Sequence, residues 1–430
     1  MSYVQVTNEI GALRRAIVHR PGRETQQTAH GDFFQAFPLR PGRSSFDLEQ
    51  AQREHDALVG VLKAHDVEVI EVCDVLQQAL EAAPEARQEL VDAFVADSPV
   101  EGAELAGALR DYFLSQDSPA QLVQALYDGV RYGQTDLASP ASFPLAQRTD
   151  TAFDPELFLS RPMNTSFFVR DPVTAIGRGL TCNSMYWRDR TREVDLYQIL
   201  LRHLPAFCST PQWLDHGCSF HIEGGDLINL TDKSLAIGLS SRTEGPAIDV
   251  LARHLLWGAR DVAASGDAAP MPASDIKDVY VIPVPGTGNR LHLDTYLARV
   301  DYDTFLMDRS LAEQGPLLRL HRGRKKGEVR IEEERGGLKA MLKRALHQGP
   351  LKFIEVDGTD SSLAAELAGE AIGVLCLAPG VLCVSQGNLR VNDLLEKASL
   401  DIIAVPTIEL TDGFGGPGSL ALPLWRETVE

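Results

Sequence analysis

Residues 220–239 read FHIEGGDLINLTDKSLAIGL, and the way this stretch folds decides the architecture. Two apolar runs flank a short polar connection, Thr231 to Lys233, which predicts an antiparallel hairpin. Parallel neighbours would need a crossover of a dozen residues or more, so the hairpin argues against a purely parallel doubly wound sheet. Just upstream, His221 and Glu223 are two apart and share a face if the segment is extended. Asp226 has the opposite parity unless Gly224-Gly225 forms a bulge that re-aims it.

Working outward, RRAIVHR (14–20) predicts a buried strand entering a Pro-Gly turn, and DLEQAQREHDALVGVLKAHDVEVIEV (47–72) a helix followed by a second strand. Ala51, Leu58, Val61, Leu62 and His65 fall near one helix face, which should pack on the sheet. From 75 to 158 the chain becomes helical in texture, with QQALEAAPEARQELVDAF, AELAGALRDYFL and PAQLVQALYDGVRYG, and few β-branched residues. We take 75–158 as a helical insertion, and 1–74 with 159–430 as the main domain. Short strands return in FFVRDPVTAIG, VYVIPVP, LDTYLARVD and GVLCLAPGVLCVS, separated by helices such as PAIDVLARHLLWG, where Ile248, Leu251 and Leu255 share a side. The recurring unit is a pair of strands, a helix and another strand, giving an α/β chain of mixed strand order. The charge-dense stretch 322–345 is expected to be a solvated loop leading into a helix.

The composition, 44% hydrophobic and 23% charged, is that of a globular protein. A net charge of −19 argues against nucleic-acid or anionic-membrane partners, which require clustered positive charge. Six cysteines lie scattered without CxxC pairs, no leader-like segment is apparent, and the apolar runs are far shorter than a membrane span. These features predict a cytoplasmic protein with reduced thiols; Cys218 is expected to be a structural cysteine.

Polar residues concentrate in four places: MNTSFFVRDP with Asp171, HIEGGD, RLHLDTYL with His292 and Asp294, and GGPGS with Ser419. Two readings compete for His221, Glu223, Asp226, His292 and Asp294. Imidazole and carboxylate suit a metal ion, yet helical HExxH or clustered-histidine spacing is absent, so no metal is expected. A pocket lined by carboxylates instead accepts the planar N–H pairs of a guanidinium, with histidine moving protons.

The order RDP, NSMYWRDRTRE, HIEGGD, SSRTE, HLDT and a C-terminal glycine-rich loop resembles arginine deiminase and the wider guanidino-group modifying (amidinotransferase) superfamily. The similarity runs from EIGALRRAIVHRPGRE to LPLWRE. It implies a five-bladed, pseudo-symmetric α/β-propeller of ββαβ modules around a central pocket, no cofactor, an arginine-like substrate and an oligomer. It also implies that Asp171 and Asp294 clamp the guanidinium, that Glu223 holds the proton shuttle His292, and that Arg190 and Arg242 bind the substrate α-carboxylate. Asn164 resembles the family asparagine that contacts substrate backbone groups, one residue further from Asp171 than usual; Asp226 joins this substrate-binding set. The nucleophile loop departs from the family. Where deiminases typically read G-R-G-G-G-H-C, this chain reads GFGGPGS, with Phe414 for arginine, Gly418 for histidine and Ser419 for the nucleophilic cysteine.

A cysteine thiol can be drawn toward a neutral pKa by a cationic neighbour, whereas a serine hydroxyl needs an adjacent base. The expected function is hydrolysis of the guanidino group of arginine or a derivative, to citrulline and ammonia, with turnover weakened by Ser419. The alternatives are a silent arginine-binding protein, or a biosynthetic enzyme performing amidino transfer or another modification on a guanidino amino acid.

Overall fold

The computed structural model describes residues 3–32, 44–137, 154–258, 272–286, 288, 290–411 and 415–429. Its hairpin at 227–239 forms as expected: Leu227–Asn229 pairs antiparallel with Ser234–Leu239. The helix Gly245–Trp257 then carries the chain across, and Asp278–Pro283 lies parallel beside Ser234–Leu239. Ile248, Leu251 and Leu255 are buried on the helix face toward Leu235, Ile237 and Val279. Burying each such side chain contributes about 1.5–3 kcal/mol, which fixes the helix to its sheet.

The same antiparallel-then-parallel unit recurs. Val173–Ile176 and Gly179–Cys182 form a hairpin, and Gln212–Leu214 joins parallel after the helix Arg188–His203. Leu297–Arg299 and Thr304–Asp308 are followed by parallel Lys352–Val356. Leu375–Ala378 and Val381–Ser385 are followed, across the helix Leu389–Lys397, by parallel Asp401–Val405. In the fifth unit Leu422–Arg426 pairs antiparallel with Leu13–Val18, and Glu68–Glu71 lies parallel after the helix Leu48–Ala64. The two ends of the chain therefore share one sheet.

The insertion is helical from Val72 to Asp128, in four helices whose buried Leu76, Leu90, Phe94, Leu109, Phe113 and Leu122 form its core. Past Asp128, Val130–Arg131 pairs with Phe158–Ser160, and a 3-10 turn follows at Tyr132–Gln134. The stretch 322–345 corrects its expectation. Leu318–Arg322 and Val329–Glu333 form a hairpin on the edge of the sheet, and only then does the helix Gly337–Leu346 begin. Charge density there marks an exposed edge strand rather than a loop, since charged side chains keep an edge from pairing with another molecule. Among the described residues, no helix is long and apolar enough to cross a membrane.

Candidate active site

Two tight turns present the polar residues. His292 and Asp294, like Glu223 and Asp226, were expected on strands; Leu293–Thr295 and Gly224–Asp226 are instead single 3-10 turns. Asp171 likewise lies in a turn ahead of Val173–Ile176, not after an aromatic strand. Packing explains the turns. A side chain at Gly224 would collide with the carbonyl of Arg170, and a Cβ at Gly225 would lie 2.7 Å from Cγ of His292. Glycine at both positions lets the two turns approach.

Asp226 fastens them. Its Oδ1 accepts the N–H of Leu293 at 2.8 Å, and its Oδ2 accepts the Ser240 hydroxyl at 2.6 Å. Ser240 Oγ in turn accepts the backbone N–H groups of Arg242 (2.9 Å) and Thr243 (3.1 Å), shaping the loop that carries Arg242. Both oxygens of Asp226 are thus engaged within the protein, so in this structure it orients the turns instead of offering a free acceptor to a ligand. Burial raises its pKa to about 6.

Glu223 and His292 form the centre. The imidazole Nε2 lies 2.7 Å from Glu223 Oε2, and the other carboxylate oxygen accepts the N–H of Tyr186 at 3.0 Å. Nδ1 of His292 is 4.0 Å from Asp171 Oδ1. Burial opposes a charge on His292, but Asp171, Glu223 and Asp226 outweigh it and raise its pKa to about 10, so it is an imidazolium at neutral pH. Asp294 is pushed up to about 7, first by burial, against the pull of His292 and Arg170. Its Oδ2 is 3.8 Å from Arg170 Nε, and its Oδ1 is buried without a hydrogen-bond partner. That oxygen is an open acceptor. Asn164 is buried in the turn that precedes Asp171.

The two arginines differ. Arg190 is enclosed: its guanidinium donates to Glu193 Oε1 (2.9 Å) and Oε2 (3.0 Å), Asp171 Oδ2 (3.0 Å) and Phe168 O (3.1 Å). With all three nitrogens bonded, it braces Asp171. Arg242 is only half buried and stacks over Tyr186 and Trp187, 4.6 and 5.5 Å from their ring centroids. Among the described residues its guanidinium makes no ion pair, so it can receive an anion.

Ser419 lies half buried in the 3-10 turn Pro417–Leu420. A Cβ at Gly415 would sit 2.9 Å from both Ser419 Oγ and Phe168 Cε1, and one at Gly416 would strike the Gly373 carbonyl. The N–H of Gly418 donates to that same carbonyl at 3.1 Å. The loop is therefore seated on residues 370–374. Neither ring nitrogen of His292 is hydrogen-bonded to Ser419: one holds Glu223 and the other faces Asp171. Phe414 lies outside the described residues. Gly418, Gly373, Asp294 and Arg170 help line a small cavity of about 30 Å³, room enough for water.

Sequence reasoning missed Glu370. It is buried, adopts a left-handed φ of 56°, and leaves Oε2 without a hydrogen-bond partner. Burial, then the charge of Asp294, drives its carboxyl well above the ordinary range. Its one sequence signal is a lone acid in the small and apolar run LAGEAIGV. Arg170, whose Nη2 is 3.2 Å from buried Glu9, was likewise read only as part of RDP. Asp171, Glu223 and His292 offer ligand atoms within 4.8 Å of one another and so have the donors for a metal ion, but the imidazole would first have to lose its proton.

Residues 44–426 match the family model described as arginine deiminase. The arginine deiminase of Clostridium perfringens is 31% identical over 437 residues, covering 99% of this chain and 98% of its own. That of Staphylococcus aureus is 30% identical over 436 residues, with 99% of each covered. A solved amidinotransferase of saxitoxin biosynthesis from Microseira wollei superposes with a TM-score of 0.51 at 15% identity, over 99% of this chain and 98% of that one, a likeness of fold alone. Carried by sequence over nearly its whole length, the match makes this chain a member of the arginine deiminase family.

Proposed function

We propose that this chain hydrolyses the guanidino group of arginine or an arginine derivative, at the centre of a five-bladed α/β-propeller. The five repeated units, with chain ends joined in one sheet, support the closed propeller. The free thiols of all six cysteines are in keeping with a cytoplasmic setting. The observation that carries the chemical reading is the cluster of buried Asp171 and Glu223 with half-buried His292 and Asp294. A guanidinium is flat and donates in parallel pairs, and the open oxygen of Asp294 and the braced carboxylate of Asp171 accept such donors. Arg242, stacked on the exposed Tyr186 and Trp187, would take the α-carboxylate.

Hydrolysis requires a nucleophile to add to the guanidinium carbon and ammonia to leave with a proton. His292, protonated, supplies that proton and then recovers one from the attacking water. As an imidazolium held by Glu223 it already carries a proton at neutral pH and has no lone pair to offer, so it does little to activate the Ser419 hydroxyl. The same observation favours a second reading, an arginine-binding protein without turnover. Both are tested by incubating the protein with arginine and following citrulline and ammonia, beside calorimetric binding. The expected result is binding with slow citrulline release, accelerated at least about tenfold by Ser419→Cys, because a thiolate needs no separate base. Binding without product in both proteins would favour the second reading; no guanidine binding by the folded protein would overturn both.

A further inference from the structure

A second polar cluster lies in the fifth unit, on residues the guanidino chemistry does not use. The strand Leu13–Val18 ends immediately before His19; its parallel neighbour Glu68–Glu71 ends beside it, with Val18 opposite Glu71; and Cys73 sits in the first turn of the helix Val72–Ala82. Strand pairing thus brings three different donor atoms to one corner. His19 Nδ1 is 3.0 Å from Glu71 Oε1 and 3.6 Å from Cys73 Sγ. All three ligand atoms lie within 4.8 Å of one another, with His19 buried and Glu71 and Cys73 partly exposed, which leaves a way in from solvent.

We propose that His19, Glu71 and Cys73 bind a divalent cation of borderline softness, zinc in the first instance, at a site separate from the guanidinium pocket. Imidazole, carboxylate and thiolate are zinc's ordinary ligands. Two tetrahedral ligands at about 2.0–2.1 Å (nitrogen) and about 2.3 Å (sulfur) from the metal stand about 3.5 Å apart, close to the imidazole-to-sulfur distance here. The ring is also set for ligation. Its Nε2 lies 3.2 Å from Oε1 of the buried Glu24, and its face stacks on Tyr127 at 4.5 Å. A carboxylate behind the far nitrogen is typical of zinc-bound histidine; the Nδ1 proton, now directed at Glu71, would leave as the metal enters.

An independent observation comes from the helix Leu48–Ala64. His55 is buried, yet neither of its ring nitrogens has a hydrogen-bond partner. An imidazole left so is costly unless something else is to be bound. It lies within electrostatic reach of both Glu71 and His19, outside the set of ligand atoms within 4.8 Å of one another. Bound metal would join the fifth sheet to the first helix of the insertion.

The test uses the full chain, stripped with chelator and titrated with zinc or cobalt(II). The expected result is one equivalent of metal per chain, and a thiolate-to-cobalt charge-transfer band that disappears in Cys73→Ser. Glu24→Gln should weaken binding about 10–100-fold, as loss of a carboxylate behind a ligating histidine does. Zinc should also shield Cys73, but not the exposed Cys208, from alkylation in the unaltered protein, a readout that does not depend on any variant folding. Binding below one equivalent, a charge-transfer band that survives in Cys73→Ser, or equal alkylation of Cys73 with and without zinc would overturn the proposal.

Discussion

The turns that carry Glu223 and His292 differ from the loop that carries Ser419 in how each is held. The first are fixed by side chains: Asp226 bonds across to Leu293 and Ser240, and Glu223 bonds to His292 and Tyr186. The second is fixed by backbone, through the bond from Gly418 to Gly373 and glycines too closely packed for a Cβ. Side-chain networks orient chemical groups, whereas close-packed backbone only places the chain. Under the proposed function, the groups that would recognise and protonate a guanidino group are held by side-chain bonds, whereas Ser419 is placed by the backbone alone.

Breaking the half held by side chains should have the largest effect. His292→Ala removes the proton donor for departing ammonia, and any turnover should fall about 10²–10⁴-fold while arginine binding persists; single-turnover citrulline release beside calorimetry checks this. Equal loss of binding and turnover would mean that His292 is structural.

Next in size is Asp294→Asn, which removes a charge-assisted acceptor. Arginine affinity should weaken about 10–100-fold, from the roughly 1.5–3 kcal/mol of such a bond. The sign with pH can be worked out. The carboxyl of Asp294 titrates near 7 in the folded protein, above the ordinary value of about 3.9. Between those values the native state holds a proton that the unfolded state lacks, so the contribution of Asp294 to stability declines as pH rises toward 7. Guanidinium binding requires the ionised form, so affinity should fall as pH drops below about 7. Denaturation at pH 8 should find Asp294→Asn more stable than the unaltered protein, even as it binds less.

The smallest effect sharpens the other half of the comparison. Ser419→Ala should change arginine affinity less than about threefold, since Ser419 belongs to no side-chain network and isolated substitutions of that kind shift free energies by about 0.5 kcal/mol. A tenfold change measured by calorimetry would show that the hydroxyl contacts the ligand.

These contrasts also show what the sequence makes readable. The repeating unit could be read because each strand and helix signals itself locally, through apolar runs, polar turns and the spacing of Ile248, Leu251 and Leu255; the number five came from the family resemblance. Asp171, Glu223, His292 and Asp294 stood out because charges beside glycines and apolar residues are uncommon. Their geometry did not follow, because strand parity was applied to segments that tertiary contact folds into turns; the collision that a side chain at Gly224 would make with Arg170 is a contact between distant residues, invisible in either alone. The bracing role of Arg190 was hidden for the same reason: its partners Glu193 and Asp171 appear only once the helix Arg188–His203 docks. Glu370 signals itself only as a lone acid in LAGEAIGV, a run that does not show whether the acid is buried or solvated.

The pairing of Leu422–Arg426 with Leu13–Val18 bears on how the protein is made. During synthesis the strand Leu13–Val18 waits with one edge unsatisfied until Leu422–Arg426 has left the ribosome. The contact of longest sequence separation is thus the last to become available, and such contacts form slowly. Because the segment bearing Ser419 immediately precedes that final strand, the pocket's wall is completed only in the closing moments of folding.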